Sequence, residues 1–268
     1  MKSDTFKKNI ETTFNAVSSR YDENRFFAIS ASKMAELVPL SGLTNVLDVS
    51  TGTGFVAIEV AKKYRLANIE AIDLSVGMLE QAKKKAQEEG LDNITFKHCD
   101  VDNIAYPDGL FDMVTCGYAL FFYPEMESTY QALCRTIKPG GVLIFSSFTK
   151  EAFNPYAELF LKRLELDYLI EAPSRLRERL ETEQQIEELA SASQYKSINV
   201  VHHPIRYPIT TNEWWSLLNT AGYKSLLDQL SPKQLTQFKQ EHLSEIEAIT
   251  VDGVLELNTD TLFGMVRM

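Results

Sequence analysis

A short glycine-containing turn between an apolar run and a helix constrains this chain more than any other feature. The apolar run is residues 46–49, which include Asp48, and the turn is residues 50–54. A second apolar run, residues 69–73, ends in the carboxylate of Asp73. A buried strand, a tight turn into a helix and a second strand ending in an acidic residue form the βαβ unit that binds nucleotides. We therefore expect a nucleotide-like cofactor at this turn.

Strand-like and helix-like segments alternate along residues 45–148. Helices separating consecutive strands imply parallel pairing with right-handed crossovers. The predicted fold class is therefore α/β, with a doubly wound, mostly parallel sheet. The predicted strands are 45–49, 69–73, 94–99, 113–117 and 141–148, and the predicted helices are 55–64, 76–89 and 126–137.

Four of these strands end in residues suited to ligand binding. Asp48, Asp73, Asp100 and Gly117 each lie at the carboxyl end of a predicted strand. Ligands of open α/β sheets bind outside the carboxyl ends of the strands. The four residues are therefore expected to meet in one crevice.

The turn is compatible with two cofactors. Residues 52–57 match the dinucleotide pattern G-x-G-x-x-A, which would bind NAD. Asp48 favours the other candidate, S-adenosyl-L-methionine (SAM), because a buried carboxylate repels a pyrophosphate but attracts an ammonium and a sulfonium. In that case Asp73 accepts hydrogen bonds from the ribose hydroxyls. If Asp48 only caps the following helix, the choice of cofactor stays open.

Five segments occur in an order that carries a resemblance to a known family. They are residues 48–54, Asp73, residues 99–101, 111–114 and 137–141. Together they resemble the class I SAM-dependent methyltransferases (EC 2.1.1.-), and residues 14–22 are similar to the entry segment of the UbiE-like methyltransferases of quinone biosynthesis. The resemblance covers residues 10–150. It implies a Rossmann-like, seven-stranded sheet with an N-terminal helical lid and helical insertions in the C-terminal part.

The resemblance also assigns cofactor-binding roles. Gly52 and Gly54 would let the backbone approach the methionine portion of SAM. Asp100 and Val101 would bind the adenine ring. Leu74 and Met78 would contact the faces of that ring or, alternatively, pack in the core. Ser50 stands where most relatives carry glycine, so its hydroxyl either bonds the cofactor carboxylate or its Cβ weakens binding. The predicted set is Tyr21, Asp48, Ser50, Gly52, Gly54, Asp73, Leu74, Met78, Asp100, Val101 and Gly117.

An aromatic cluster at residues 118–123 follows the strand that ends at Gly117. We expect Tyr118, Phe121 and Trp214 to contact an aromatic or acyl substrate, with core packing as the alternative. Arg20 and Tyr21 are expected either in a lid over the cofactor or on a plain surface helix.

Methyl transfer needs a general base only if the acceptor atom must lose a proton. His202 and His203 are the candidates, at most one of them, because neighbouring strand residues face opposite sides.

Charge and composition bear on partners and location. The net charge of −10 disfavours nucleic acid, and we expect the basic run at residues 83–85 to be a solvated helix face. No apolar run reaches the length of a membrane span or resembles a signal peptide, so a cytoplasmic enzyme is expected. No metal is expected, since the three cysteines lack metal-ligand spacing. The expected assembly is a monomer or a homodimer.

The chain beyond residue 150 has a different pattern. Capping-box sequences begin predicted helices at Thr182, Thr210 and Ser231, and strands are predicted at 198–209, 254–257 and 262–266, the last two returning to the sheet edge. The expected domains are a lid (1–40), a SAM-binding core (41–150) and a substrate cap with the last strands (151–268).

The predicted function is methyl transfer from SAM to an oxygen or activated carbon of a small aromatic or quinone-like molecule, with S-adenosyl-L-homocysteine (SAH) as product. The alternatives are a NAD-linked oxidoreductase and a non-catalytic SAM-binding protein.

Overall fold

A computed structural model of the protein describes residues 2–38, 41–171 and 180–268, with side chains from residue 7 onward. Residues 39–40, where the predicted lid segment ends, and 172–179, inside the predicted cap, lie outside the described residues. The helices are α1 Lys2–Val17, α2 Arg25–Leu37, α3 Phe55–Lys63, α4 Val76–Glu88, α5 Met126–Arg135, α6 Tyr156–Tyr168, α7 Glu183–Ala190, α8 Thr211–Thr220, α9 Lys224–Leu227 and α10 Pro232–Ala248. The strands are β1 Asn45–Val49, β2 Asn68–Asp73, β3 Ile94–His98, β4 Phe111–Gly117, β5 Ile137–Phe148, β6 Ser197–His203, β7 Arg206–Thr210, β8 Val254–Asn258 and β9 Thr261–Arg267.

Seven strands form the main sheet in the order β3-β2-β1-β4-β5-β9-β6. The first five pair in parallel, and β9 is antiparallel to both β5 and β6. The order reverses between β1 and β4, which places a ligand crevice at the carboxyl ends of these two strands. The arrangement confirms the predicted α/β fold class and its mostly parallel, seven-stranded sheet.

The sheet is buried because its strands are apolar on both faces. In β1, Val46, Leu47 and Val49 are all nearly inaccessible to solvent. Helices cover both faces, as expected for strands that lack apolar and polar alternation. The rigid ends of these strands therefore provide a fixed support for the side chains that follow them.

Two predictions about the late strands are wrong. Residues 198–209 form two strands, because Pro204 has no N–H to donate to a sheet and the chain leaves the main sheet there. The second of them, β7, pairs with β8 in a separate two-stranded sheet, so residues 254–257 do not return to the main sheet. Only β9 does, and it lies between two strands rather than at an edge.

The predicted helix starts in the C-terminal part are confirmed. The side chains of Thr182, Thr210 and Ser231 each accept a hydrogen bond from the backbone N–H three residues later. The side chain of that later residue in turn accepts a hydrogen bond from the backbone N–H of the first residue. These reciprocal bonds satisfy N–H groups that a helix leaves free at its start. They fix where α7, α8 and α10 begin.

Candidate functional site

A cavity of about 330 Å³ lies at the carboxyl ends of the parallel strands. Its size is within the range of small-molecule sites. Most of the predicted cofactor and substrate residues line it, namely Tyr21, Ser50, Gly52, Asp73, Leu74, Met78, Asp100, Val101, Gly117, Tyr118 and Phe121. We call the side with Ser50, Gly52, Asp73 and Asp100 the cofactor half. The acceptor half is the side walled by Tyr118, Phe121, Phe148, Phe153 and Tyr223.

Asp73 is the acidic group at the end of β2. Its Oδ2 accepts a hydrogen bond from the N–H of Gly52 at 2.7 Å, and its Oδ1 accepts one from the N–H of Ser75 at 2.8 Å. Burial raises the pKa of Asp73, although hydrogen bonds from the N–H groups of Ser75, Gly52 and Leu74 favour the charged form. A carboxylate can accept about four hydrogen bonds, so this group can still accept one from a ribose.

Asp48 lies beneath the glycine turn and not on the surface of the main cavity. The hydroxyls of Thr115 and Thr51 donate to its two oxygens, each at 2.6 Å, and the N–H of Ala57 also bonds it. Because Ala57 is in the first turn of α3, the helix-capping interpretation holds in part. Asp48 nonetheless lines a small side cavity together with Ser50 and Gly117. Burial raises the pKa of Asp48 to about 6, so a nearby cation would favour its charged form.

The two glycines of the turn have different structural roles. Both have left-handed backbones, with φ of 56° at Gly52 and 84° at Gly54. A Cβ on Gly54 would lie 2.9 Å from the Cβ of Ala82, so this glycine lets the turn pack on α4. Gly54 does not line the cavity, whereas Gly52 does. The structure therefore gives Gly54 a role in helix packing, beside the cofactor approach predicted for it.

Ser50 also has a left-handed backbone, with φ of 52°, although it carries a Cβ. Its hydroxyl lies 2.6 Å from the hydroxyl of Tyr123. Tyr123 belongs to the aromatic segment that follows β4, so the pair joins the cofactor turn to the acceptor half. Ser50 thus has a protein partner that the sequence analysis did not foresee.

Asp100 follows β3 and lines the cavity. The ammonium of Lys7, from α1, lies 2.7 Å from Asp100 and 2.5 Å from Asp102. The side chain of Asn15 accepts hydrogen bonds from the Ser75 hydroxyl and the Gly77 N–H at 2.7 and 2.9 Å. Helix α1 is therefore held across the cofactor half by its own side chains.

The acceptor half is a set of packed rings. Tyr118 stacks on Phe148 with ring centres 4.2 Å apart, and Phe153 lies against Phe148 at 4.8 Å. The hydroxyl of Tyr118 is 2.7 Å from that of Thr261 on β9. Burial raises the pKa of the Tyr118 phenol. Its ring, rather than its hydroxyl, is what Tyr118 offers to a ligand.

Trp214 does not line the cavity, so the cavity gives no support to its predicted substrate contact. The residue is fully buried, and its indole N–H donates to Nε2 of His242 at 2.9 Å. Tyr156 packs on its ring. Of the two adjacent tryptophans, Trp214 is the one on the core face of α8.

His202 and His203, the predicted general-base candidates, do not line the cavity. They lie on β6, which β5 and β9 separate from β4. His202 is half exposed and lies 3.7 Å from the carboxylate of Asp260. Burial and Lys33 lower the pKa of His203. Two strands therefore lie between these histidines and the strand that leads into the acceptor half.

The basic run at residues 83–85 is only partly solvated. Lys84 is 71% exposed, but Lys85 is 23% exposed and lies 2.7 Å from the carboxylate of Asp22. The expectation of a solvated face is therefore wrong for Lys85, because α4 turns this residue toward the N-terminal segment.

Several cavity residues were not predicted from the sequence, because most of them reach the cavity only through tertiary packing. Tyr123 was within the aromatic cluster but was not singled out. The others that line the cavity include Lys7, Phe14, Phe27, Phe148, Phe153, Leu217 and Tyr223. Their spacing along the chain carries no local signal. Among the described residues, no cluster of His, Cys, Asp or Glu has the arrangement of a metal site, and no helix has both the length and the apolar character to cross a bilayer.

A family model described as a methyltransferase domain matches residues 40–222. The chain belongs to this methyltransferase family. Membership confirms the predicted enzyme class, and SAM is the methyl donor expected of a methyltransferase domain. Asp73, a carboxylate that lines the cavity, fits the ribose of that cofactor.

Curated relatives extend the comparison. The chain is 29% identical over 166 residues to a ubiquinone/menaquinone biosynthesis C-methyltransferase UbiE of Desulfotalea psychrophila, covering 57% of this chain and 65% of the relative. It is 29% identical over 151 residues to the aklanonic acid methyltransferase DauC of a Streptomyces species, covering 55% and 68%. The chain thus spans a little less than two thirds of the UbiE relative.

Solved structures share the fold. The crystal structure of YcgJ from Bacillus subtilis superposes with a TM-score of 0.60 at 20% identity, covering 89% of this chain and 97% of that one. A methyltransferase-like protein from Bacillus halodurans gives the same TM-score at 19% identity, covering 89% and 98%. At such identities the likeness supports the architecture alone.

Proposed function

We propose that this protein transfers the methyl group of SAM to an oxygen or activated carbon of a small aromatic or quinone-like molecule. The observation that carries the proposal is that a single cavity contains both halves of the site. Its lining runs from Asp73 and Asp100 to the rings of Tyr118 and Phe148 without a separating wall.

The cofactor half supplies the groups that a SAM molecule needs. Asp73 would hold the ribose hydroxyls, Asp100 and Val101 the adenine, and Asp48 would lie beneath the amino-acid end. When bound, SAM supplies a methyl group on a positively charged sulfur. The chain's own task is to orient the acceptor along the line of transfer and to keep water out, which accounts for much of the acceleration in reactions of this kind.

The acceptor half determines the chemistry of the substrate. Its walls are rings that offer flat, apolar surface, and a planar aromatic molecule buries the most area against them. No histidine is among the described residues that line the cavity. An acceptor whose proton leaves readily to solvent, such as a phenol or a quinol, suits this environment.

Two further segments contribute to the proposal. Residues 1–40 would act as a lid, since α1 crosses the cofactor half through Lys7 and Asn15. Residues 151–268 would act as a cap, since Leu217 and Tyr223 from that part line the acceptor half. The relatives named for quinone biosynthesis and aklanonic acid indicate which acceptors to test first.

The test is an acceptor screen with methyl-labelled SAM. We expect SAH formation and a labelled product with reduced naphthoquinones, polyketide phenols or catechols, and none with phosphoethanolamine, which is small but not aromatic. Labelling of phosphoethanolamine alone would contradict the aromatic acceptor. Tight SAH binding with no methylation of any acceptor in a cell extract would favour the non-catalytic alternative.

A further inference from the structure

Three elements meet at the carboxylate of Asp22, outside the cavity. The residue lies in a short 3-10 helix, Tyr21–Glu23, between α1 and α2. The hydroxyl of Thr53, in the glycine turn, donates to its Oδ1 at 2.6 Å. The ammonium of Lys85, on α4, lies 2.7 Å from its Oδ2. The N-terminal segment is thereby joined to both the cofactor turn and the helix behind it.

Lys85 is not an ordinary surface lysine. Its ammonium lies 3.6 Å from the centre of the Phe55 ring, on the first residue of α3. Its desolvation lowers the pKa of the ammonium, and Asp22 acts in the opposite direction. The preceding residue, Lys84, is largely exposed and reaches Glu88 only at 4.0 Å. Lys85 therefore needs Asp22 as a counter-ion, whereas Lys84 does not need a partner.

The contact is next to a residue of the site. Tyr21 precedes Asp22, lines the cavity and stacks on Phe27 with ring centres 4.4 Å apart. Thr53 lies between Gly52, which contacts Asp73, and Gly54. A change in the position of Asp22 would thus move Tyr21 and the cofactor turn together.

We propose that Asp22 and Lys85 are positioning residues that hold Tyr21 and the glycine turn over the bound cofactor, and that they set how slowly the cofactor dissociates. This inference rests on the proposed cofactor half. Neither residue touches the cavity, so their effect on the cofactor passes through Tyr21 and Thr53.

The first test measures SAH dissociation by surface plasmon resonance in the wild type, Lys85→Met and Lys84→Met. Because the Lys85 side chain is only 23% exposed, removing its charge should act chiefly on dissociation, and we expect Lys85→Met to raise the dissociation rate and the Kd by about tenfold. Lys84→Met is the matched control, with the same chemical change one residue away, and should behave as the wild type.

A double-mutant cycle tests whether Asp22 and Lys85 act together. Asp22→Asn should match or exceed the effect of Lys85→Met, because it leaves a desolvated ammonium without its counter-ion. The double variant should bind no more weakly than Asp22→Asn, since contacting residues are not additive. Additive effects, or an effect of Lys84→Met equal to that of Lys85→Met, would overturn the inference.

Hydrogen exchange separates positioning from a general loss of stability. We expect faster amide exchange at residues 18–24 in Lys85→Met, with exchange in β1 and β4 unchanged. If Asp22→Asn fails to fold, Thr53→Val replaces it, because this variant removes the hydrogen bond to Asp22 and leaves both charges in place. Thr53→Val should also raise the rate of SAH dissociation. Wild-type-like SAH dissociation in all variants would refute this inference alone, whereas no SAH binding by the wild type would refute the cofactor half as well.

Discussion

The two halves of the cavity are built in different ways. The cofactor half consists of groups that follow parallel strands directly, and Asp73 and Asp100 are placed there by the ends of β2 and β3. The acceptor half consists of rings from separate parts of the chain, such as Tyr118, Phe153 and Tyr223. The first half depends on backbone geometry and the second on tertiary packing. A substitution should therefore affect binding in the one and stability or specificity in the other.

The largest effect is expected at Trp214, which packs the cap without touching the cavity. Trp214→Ala removes a fully buried ring and the hydrogen bond to His242. We expect the free energy of unfolding to fall by about 3–5 kcal/mol, measured by urea denaturation. Trp215→Ala, at the half-buried neighbour, should cost less. Unchanged stability with a raised KM for the acceptor would instead place Trp214 in the acceptor half.

The next largest effect is expected from a substitution of Asp73 in the cofactor half. Asp73→Ala removes the acceptor proposed for the ribose and leaves two N–H groups without their carboxylate. We expect the Kd for SAH, measured by calorimetry, to rise by about 100-fold, or ~2.7 kcal/mol. Asp92→Ala changes an exposed carboxylate and should leave the Kd unchanged. Equal affinity in both variants would contradict the ribose assignment.

A smaller effect is expected from the ionisation of Asp48. Its raised pKa of about 6 means that the carboxyl is largely neutral at pH 5 and charged at pH 7.5. Since only the charged form attracts the ammonium of SAM, the Kd should fall by about tenfold as pH rises through this range. In the absence of SAM, the free energy of unfolding should decrease as pH rises from about 4 to 6, because the buried carboxyl group of Asp48 ionises less readily in the folded protein than in the unfolded chain.

Asp48→Asn is the control for this pH dependence. The variant should show a nearly flat Kd between pH 5 and 7.5, since an amide does not titrate. A pH profile equal to that of the wild type would assign the titration to another group and weaken the electrostatic argument for Asp48.

The smallest effect is expected at the two histidines of β6. His202→Gln and His203→Gln should each leave kcat within about twofold of the wild type, because surface changes far from a site cost little. The measurement is SAH release with the best acceptor from the screen. A loss of kcat with an altered pH profile in either variant would restore the general-base hypothesis.

The sequence predicted most of the cofactor half because strand ends are local signals. Asp48, Asp73 and Asp100 lie at or near the carboxyl ends of predicted strands, and the strand order places them near one another. The acceptor half and the cap were harder, since helical spacing does not tell which side of α8 faces the core, and this led to Trp214 being placed at the substrate. Tyr123 and Lys85 were missed because their partners, Ser50 and Asp22, are distant in sequence.

The position of β9 has a consequence for how the chain acquires its structure during synthesis. Among the described strands, β6 pairs only with β9, and β9 is made after α8, α9 and α10. As the ribosome extends the chain from its N-terminus, both edges of β6 therefore stay unpaired until β9 has been synthesised. The exposed edge of β6 in nascent protein is the place where chaperone contact, or aggregation in its absence, is expected.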